Sequence, residues 1–233
     1  MLKINEVYTC LDNVYDPELD QSLASLGFVE NVDVKEQIVK VDFRLPTYWC
    51  SPNFAYIMAE DIIKEIKTLS WVKNVKVELV DHSEADKVSL GATTGLSFDE
   101  MFPDMSDGSG LQEVRDIFKR KAFYARQDRL IRYLLKNGWT KESILSMDHD
   151  VLNALAEDDK QTRELAERYV DIRHYFQLGP ENRVMTTHEG KVIDRQQMDS
   201  YLLHTRKDRM TMEFNSHYCQ GLLQTRYDSK RLA

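Results

Sequence analysis

Val39-Lys40-Val41-Asp42-Phe43-Arg44-Leu45 alternates apolar and polar residues, and Pro46-Thr47-Tyr48-Trp49-Cys50-Ser51-Pro52 follows it without a break. The alternation is that of a strand buried on one face. Ser51 is a good helix N-cap and Pro52 suits the first helical position, so a helix is expected to start there. Phe54, Ile57, Met58, Ile62, Ile66 and Leu69 supply its apolar stripe, with Glu60, Asp61, Lys64 and Glu65 largely on the opposite side. Cys50 thus falls at a strand-to-helix junction. Helix-start amides lack intrahelical partners there, and the positive end of the dipole favours a thiolate, the metal-binding form.

Working outward, Ile4, Val7, Leu11 and Val14 recur at helical spacing. Asp16-Pro17-Glu18-Leu19 follows, read as the N-cap and first-turn proline of a short helix through Ser25, with Gly27 closing it. Val32 and Val34 alternate with polar neighbours, and residues 34–38 make a hairpin back into the strand at 39–45. Val75, Val77 and Leu79 give a third strand. The fold class expected is α+β: a small three-stranded sheet packed with two helices, then a mainly α-helical domain with a short β-hairpin.

Residues 83–110 hold Gly91, Gly95, Gly108, Gly110 and Pro103 among many Ser, Thr and Asp residues, and read as a linker. The domains expected are therefore 1–82 and 111–233. In the second, one long helix should run to Lys136 and stop at Asn137-Gly138. A helical hairpin then spans about 140–178, a small hairpin pairs 184–187 with 191–194, and a last helix covers about 196–215.

The chain has 233 residues and a net charge of −8. Residues 1–96 carry 9 basic and 16 acidic groups, which repels nucleic acid and anionic membrane from that half. The longest apolar runs, such as Ala55–Ala59, fall far short of the ~20 residues that span a bilayer. The opening Met1–Glu6 has no apolar core, so no secretion signal is expected. Cys10, Cys50 and Cys219 are odd in number and far apart, which suits a reducing, cytoplasmic setting better than a disulfide framework.

Three pieces in order, Asp16-Pro17-Glu18-Leu19, Leu26-Gly27-Phe28-Val29 and Leu45-Pro46-Thr47-Tyr48-Trp49-Cys50, resemble the PaaD/SufT type of metal–sulfur cluster assembly factor. The resemblance runs over about residues 3–80. Here Ser51 stands between the cysteine and the proline, which that family commonly places side by side. The resemblance implies a non-enzymatic maturation factor that handles an iron–sulfur cluster or iron transiently. Cys50 is its candidate ligand, and Asp16 and Glu18 are oxygen donors that would complete or tune the site. It also implies a client metalloenzyme, by analogy a multicomponent di-iron monooxygenase. Clusters usually take four thiolates, so one cysteine calls for two chains sharing a cluster in a homodimer, for ligands lent by the client, or for a role of the cysteine other than ligand. The alternative is a metal-free adaptor or assembly chaperone for a redox enzyme.

Weaker signals lie further on. Asp171 and His174 share a helical face in a spacing that di-iron bundles use twice; a single copy reads better as a solvated face. His217 and Cys219 are poor metal evidence alone, and Cys10 reads as packed. Arg115, Lys119, Arg120, Lys121, Arg126, Arg129, Arg132 and Lys136 make the long helix basic. A solvated face is the first reading, docking on the acidic first domain or an acidic client the second, and nucleic acid the last. No nucleophile–base pair or phosphate loop is recognisable.

Overall fold

The computed structural model describes residues 2–180 and 183–228, the last by its backbone only. The chain divides into two compact units, residues 1–116 with 214–233, and residues 117–213.

In the first unit the order is α1 (Leu2–Leu11), β1 (Tyr15–Asp16), β2 (Gln21–Ser22), α2 (Leu23–Leu26), β3 (Val29–Lys35), β4 (Ile38–Arg44), α3 (Pro52–Ile66), β5 (Asn74–Val80), α4 (Ala85–Thr94) and α5 (Phe98–Met101). β4 is the central strand, antiparallel to β3 and parallel to β5. The expected alternation holds: Val39, Val41 and Phe43 are fully buried, as are Val75, Val77 and Leu79 of β5 to within 2%. They pack against Val7 and Leu11 of α1 and against Ala55, Ile57, Met58, Ile62 and Ile66 of α3 in one core. A three-stranded sheet with helices, followed by a mostly helical region, makes the fold α+β.

The stretch 83–110 differs from a linker. It contains α4 and α5, and buries Val88, Ala92, Phe98 and Phe102 in the same core. Gly91 is there because α4 passes close to α3: a Cβ would collide with the Tyr56 hydroxyl and Met101 Cγ. Tyr56 donates from its hydroxyl to the Leu96 carbonyl (2.6 Å) and meets Phe98 and Phe102 edge-on. The hydroxyls of α4 have a job too. Ser89 Oγ accepts the Leu79 amide (2.9 Å), and Thr93 Oγ1 accepts the Val77 amide (3.2 Å) while donating to the Val77 carbonyl (3.3 Å). One turn apart on the helix, they satisfy the open edge of β5.

The second unit is built on α6 (Gln112–Lys136, of which 117–136 lie here), α7 (Lys141–Ser146), α8 (His149–Asp158), α9 (Lys160–Tyr175) and the first part of α10 (Met198–Asp228). Gly138, at φ 88°, ends α6 as expected. The anticipated small hairpin is reduced to one bridge, Thr186 with Val192. Phe123, Leu130, Ile131, Ile144, Tyr169 and Ile172 form the core.

Half of the basic residues of α6 named above pair with acids of the chain itself. Arg126 is buried and reaches the Arg168 carbonyl (2.7 Å) and Asp171 (2.9 Å). Arg132 and Arg209 each hold fully buried Asp128 at 2.6 Å, and Arg129 pairs with Glu213. Arg115, in the first unit, forks onto Asp61 and Glu60 of α3 at 2.8 Å. Those partners explain four of the eight basic residues without nucleic acid. Asp171 is an exposed partner of Arg126, and His174 is exposed, which is the solvated face expected.

Candidate functional site

The site grows from the end of β4. Leu45 is buried at the strand exit, and the chain then runs through Pro46–Ser51 to Pro52 at the start of α3. Three anchors hold this loop. The Trp49 amide donates to Thr47 Oγ1 (3.3 Å), Thr47 Oγ1 contacts Cys50 Sγ (3.2 Å), and the Ser83 amide donates to the Tyr48 carbonyl (2.9 Å). Ser51 holds the N-cap position but makes no side-chain cap; its hydroxyl donates to Asn53 Oδ1 (2.6 Å), which in turn accepts the Phe54 amide (2.8 Å). The proline at the first helical position is as expected, whereas the capping oxygen comes from Asn53. Cys50 is partly exposed. Beside it Trp49 stands 77% exposed, with Tyr48 edge-on at 4.9 Å between ring centroids.

A further anchor is His82, just after β5 and buried at 4% exposure. The Glu84 amide donates to His82 Nδ1 (3.1 Å), and an amide can only donate, so Nδ1 is the bare nitrogen. The proton therefore sits on Nε2, which donates to the Cys50 carbonyl at 2.8 Å. Burial pulls the imidazole pKa below its ordinary value, in keeping with a neutral ring. Sequence reasoning passed over His82 because it is a lone histidine at the very end of the first expected domain, next to the stretch read as a linker.

Asp16 and Glu18 lie on the turn between β1 and β2, which pair Tyr15 with Ser22 and Asp16 with Gln21. Asp16 is no helix cap. Its Oδ1 accepts the amides of Glu18 (2.8 Å) and Leu19 (2.9 Å), closing the turn itself. The helix that holds Ser25 is the four-residue α2, which starts only at Leu23, is capped by Ser22 and is closed by Gly27 at φ 72°. The DPE turn is a tight polar turn because Pro17 cannot donate and Asp20 takes a left-handed φ of 52°. Burial pushes the Asp16 carboxyl up to about 6, against the pull of the two amides.

The last helix continues well past 215, and its final part, from Phe214, packs on this unit. Asn215 donates to Glu18 Oε1 (3.2 Å), Ser216 to Gln21 Oε1 (3.0 Å), and Leu223 is buried against Gly27. Arg226 donates to the Leu45 carbonyl (3.3 Å) and the Asp81 carbonyl (2.6 Å) and pairs with the Asp81 carboxylate (3.2 Å). Cys219 is carried in between. Burial is the main cause raising its thiol pKa to about 11, with the negative groups of Asp16, Cys50 and Glu18 adding to it. Cys219 was not joined to Cys50 at the sequence level; the face it shares with Asn215, Leu223 and Arg226 is the periodic signal that could have shown it buried. His217 is exposed and takes no part. Cys10, on α1, is buried as expected, and desolvation raises its pKa.

Among the described residues no three His, Cys, Asp or Glu side chains converge closely enough to hold a metal ion. Asp16, Glu18 and Cys50 each lie near enough to Cys219 to act on its thiol electrostatically, but they form no ligand set among the described residues. No helix among the described residues is long and apolar enough to cross a membrane.

Comparison with curated proteins and with solved structures returned no match. The family model described as iron-sulfur cluster assembly protein matches residues 4–79, from α1 to the last residue but one of β5, and so spans both the DPE turn and Cys50. Residues 4–79, the smaller part of the chain, are thus similar to the iron–sulfur cluster assembly protein family.

Proposed function

We propose that this chain is a maturation factor that assists the assembly or delivery of an iron–sulfur cluster, or of iron, to a client protein. The observation that carries the reading is Cys50 itself. The residue is partly exposed on a loop fixed by Thr47, Ser83 and His82, inside a segment similar to a family that assembles iron–sulfur clusters. The cargo is a substrate here, held in passing. An incomplete ligand set suits that task, because a site that satisfied all of a cluster's ligands would store the cluster and not release it. Asp16 and Glu18 act at the edge of the site as oxygen donors or as negative charges that attract cationic iron. Trp49 and Tyr48 are the surface a client would meet first, since the two exposed rings adjoin each other and the candidate ligand Cys50. The helical unit of residues 117–213 selects the client, and a di-iron monooxygenase is the client class by analogy alone.

Anaerobic reconstitution with ferrous iron and sulfide tests this. Wild-type protein should bind iron and sulfide and colour, and Cys50→Ala should not; equal amounts bound by both proteins would overturn the assignment of Cys50. The exposed Trp49–Tyr48 pair also supports a second reading, a metal-free adaptor or assembly chaperone. Stable capture of a client by Cys50→Ser at wild-type affinity, together with no metal in either protein, would favour it.

A further inference from the structure

We infer that Cys219 is the second thiolate of the Cys50 site, so that the two cysteines together bind a thiophilic divalent metal ion, ferrous iron in its working form. This rests on the reading of Cys50 as a ligand and adds to it a residue that lies outside the segment 4–79 matched by the family model.

The placement follows from the helix. At 100° per residue, Asn215, Cys219, Leu223 and Arg226 fall on one face of α10. The two ends of that face are fixed: Asn215 to Glu18 on the DPE turn, and Arg226 to the carbonyl of Leu45, where the chain leaves β4 for Cys50. Leu223 is buried against Gly27 between them. Cys219 therefore sits above the gap between the DPE turn and the strand exit, one helical turn from the Glu18 contact. Both thiols are half-buried and pack against the same core. Gln220, Ser216 and Gln21 form a neutral hydrogen-bonded rim beside them.

Two thiols of this kind suit soft or borderline metals, and carboxylates alone would suit magnesium or calcium better. The step balances without electron transfer. A divalent ion displaces the two thiol protons to solvent, leaving a bis-thiolate complex with the charges of ion and thiolates cancelled. Coordination positions remain for ligands from outside, which is how a client's own cysteines or carboxylates would take the metal over.

Cobalt(II) is a convenient probe because each thiolate bound to it adds ligand-to-metal charge-transfer absorption in the near ultraviolet. Full-length protein is titrated anaerobically with cobalt(II), as wild type, Cys50→Ala, Cys219→Ser and the double variant, with circular dichroism confirming matched folds. Wild type should show a saturable band; Cys219→Ser should retain about half of it, one thiolate of two, and the double variant none. A band of wild-type size in Cys219→Ser that is lost in Cys50→Ala would overturn this inference and leave Cys50 standing as a ligand. A full band in Cys50→Ala would remove Cys50 itself. Alkylation of the wild-type protein covers the case of a misfolded variant. Bound cobalt should shield both Cys50 and Cys219 from iodoacetamide, and shielding of Cys50 alone, or of neither, overturns the pair.

Discussion

Replacing His82 by leucine tests the geometry of the Cys50 loop most directly. The ring is almost wholly buried and makes two hydrogen bonds, from Nε2 to the Cys50 carbonyl (2.8 Å) and from the Glu84 amide to Nδ1 (3.1 Å). Leucine fills much of the space and makes neither. Each backbone group left without a partner costs about 1–3 kcal/mol, so the variant should lose roughly 2–5 kcal/mol. The wild type should also carry a pH dependence that the variant lacks. The folded pKa lies below 6.5, because burial opposes the charged ring and a second proton on Nδ1 would break the bond to Glu84. As pH falls through about 6.5 the unfolded chain takes up this proton first, so the stability that His82 supplies is complete above that pH and declines below it. One proton gives a slope of at most about 1.4 kcal/mol per pH unit. Urea denaturation followed by circular dichroism at pH 5, 6, 7 and 8 measures both quantities. Wild type and His82→Leu should differ most at pH 7–8 and converge toward pH 5. Curves that stay parallel, or a variant within about 0.5 kcal/mol of wild type throughout, would refute the neutral, doubly bonded imidazole.

Other substitutions follow from the same structure. Asp16→Asn should show the opposite sign: with a carboxyl raised from 3.8 to about 6, the unfolded chain deprotonates first, so wild type loses stability as pH rises between those values. The asparagine oxygen can still accept the two turn amides. The variant should therefore gain on wild type by up to roughly 3 kcal/mol at pH 8 and by about half that at pH 5, read from the same urea series; a gap that does not narrow with falling pH refutes it. Gly91→Ala forces a methyl group into the Tyr56 hydroxyl and Met101, which should cost about 1–3 kcal/mol in thermal or urea denaturation. Asp128→Ala removes the carboxylate shared by Arg132, Arg209 and Thr205. Because both arginines keep access to water, the loss should be roughly 1–3 kcal/mol and not the full cost of a stranded buried charge; an unchanged denaturation midpoint would show the cluster to be ornamental.

The parts of this fold that announce themselves are those with a local period. β4 was legible because every second residue from Val39 to Leu45 is apolar, and α3 because its stripe begins at a Ser-Pro start. The α4 segment was not. Its Gly, Ser and Thr residues match a linker in composition, and their use only becomes visible beside β5, where Ser89 and Thr93 bond the strand and Gly91 admits Tyr56. Asp16 was read as a cap and proves to be one, of a turn and not of a helix, since the same side-chain oxygen serves either frame. Around the candidate site, the position of Cys50 between β4 and α3 was legible from the alternation before it and the Ser-Pro start after it. Cys219 was not, because no short-range pattern ties it to a residue so distant in the chain, and because Asn215 looked like a helix end.

The hydroxyls of α4 on the outer edge of β5 have a consequence for how this protein meets others. A sheet edge with free amides invites a passing extended chain to add itself as another strand. Here Val77 and Leu79 have already given their amides to Thr93 and Ser89, so the middle of that edge has fewer donors left for an incoming peptide. The opposite edge, β3, carries Glu30, Asp33 and Lys35 and a register shift between Val29 and Asn31, both of which discourage strand addition. An edge covered on one side and charged on the other resists the edge-to-edge pairing that draws sheet proteins into aggregates.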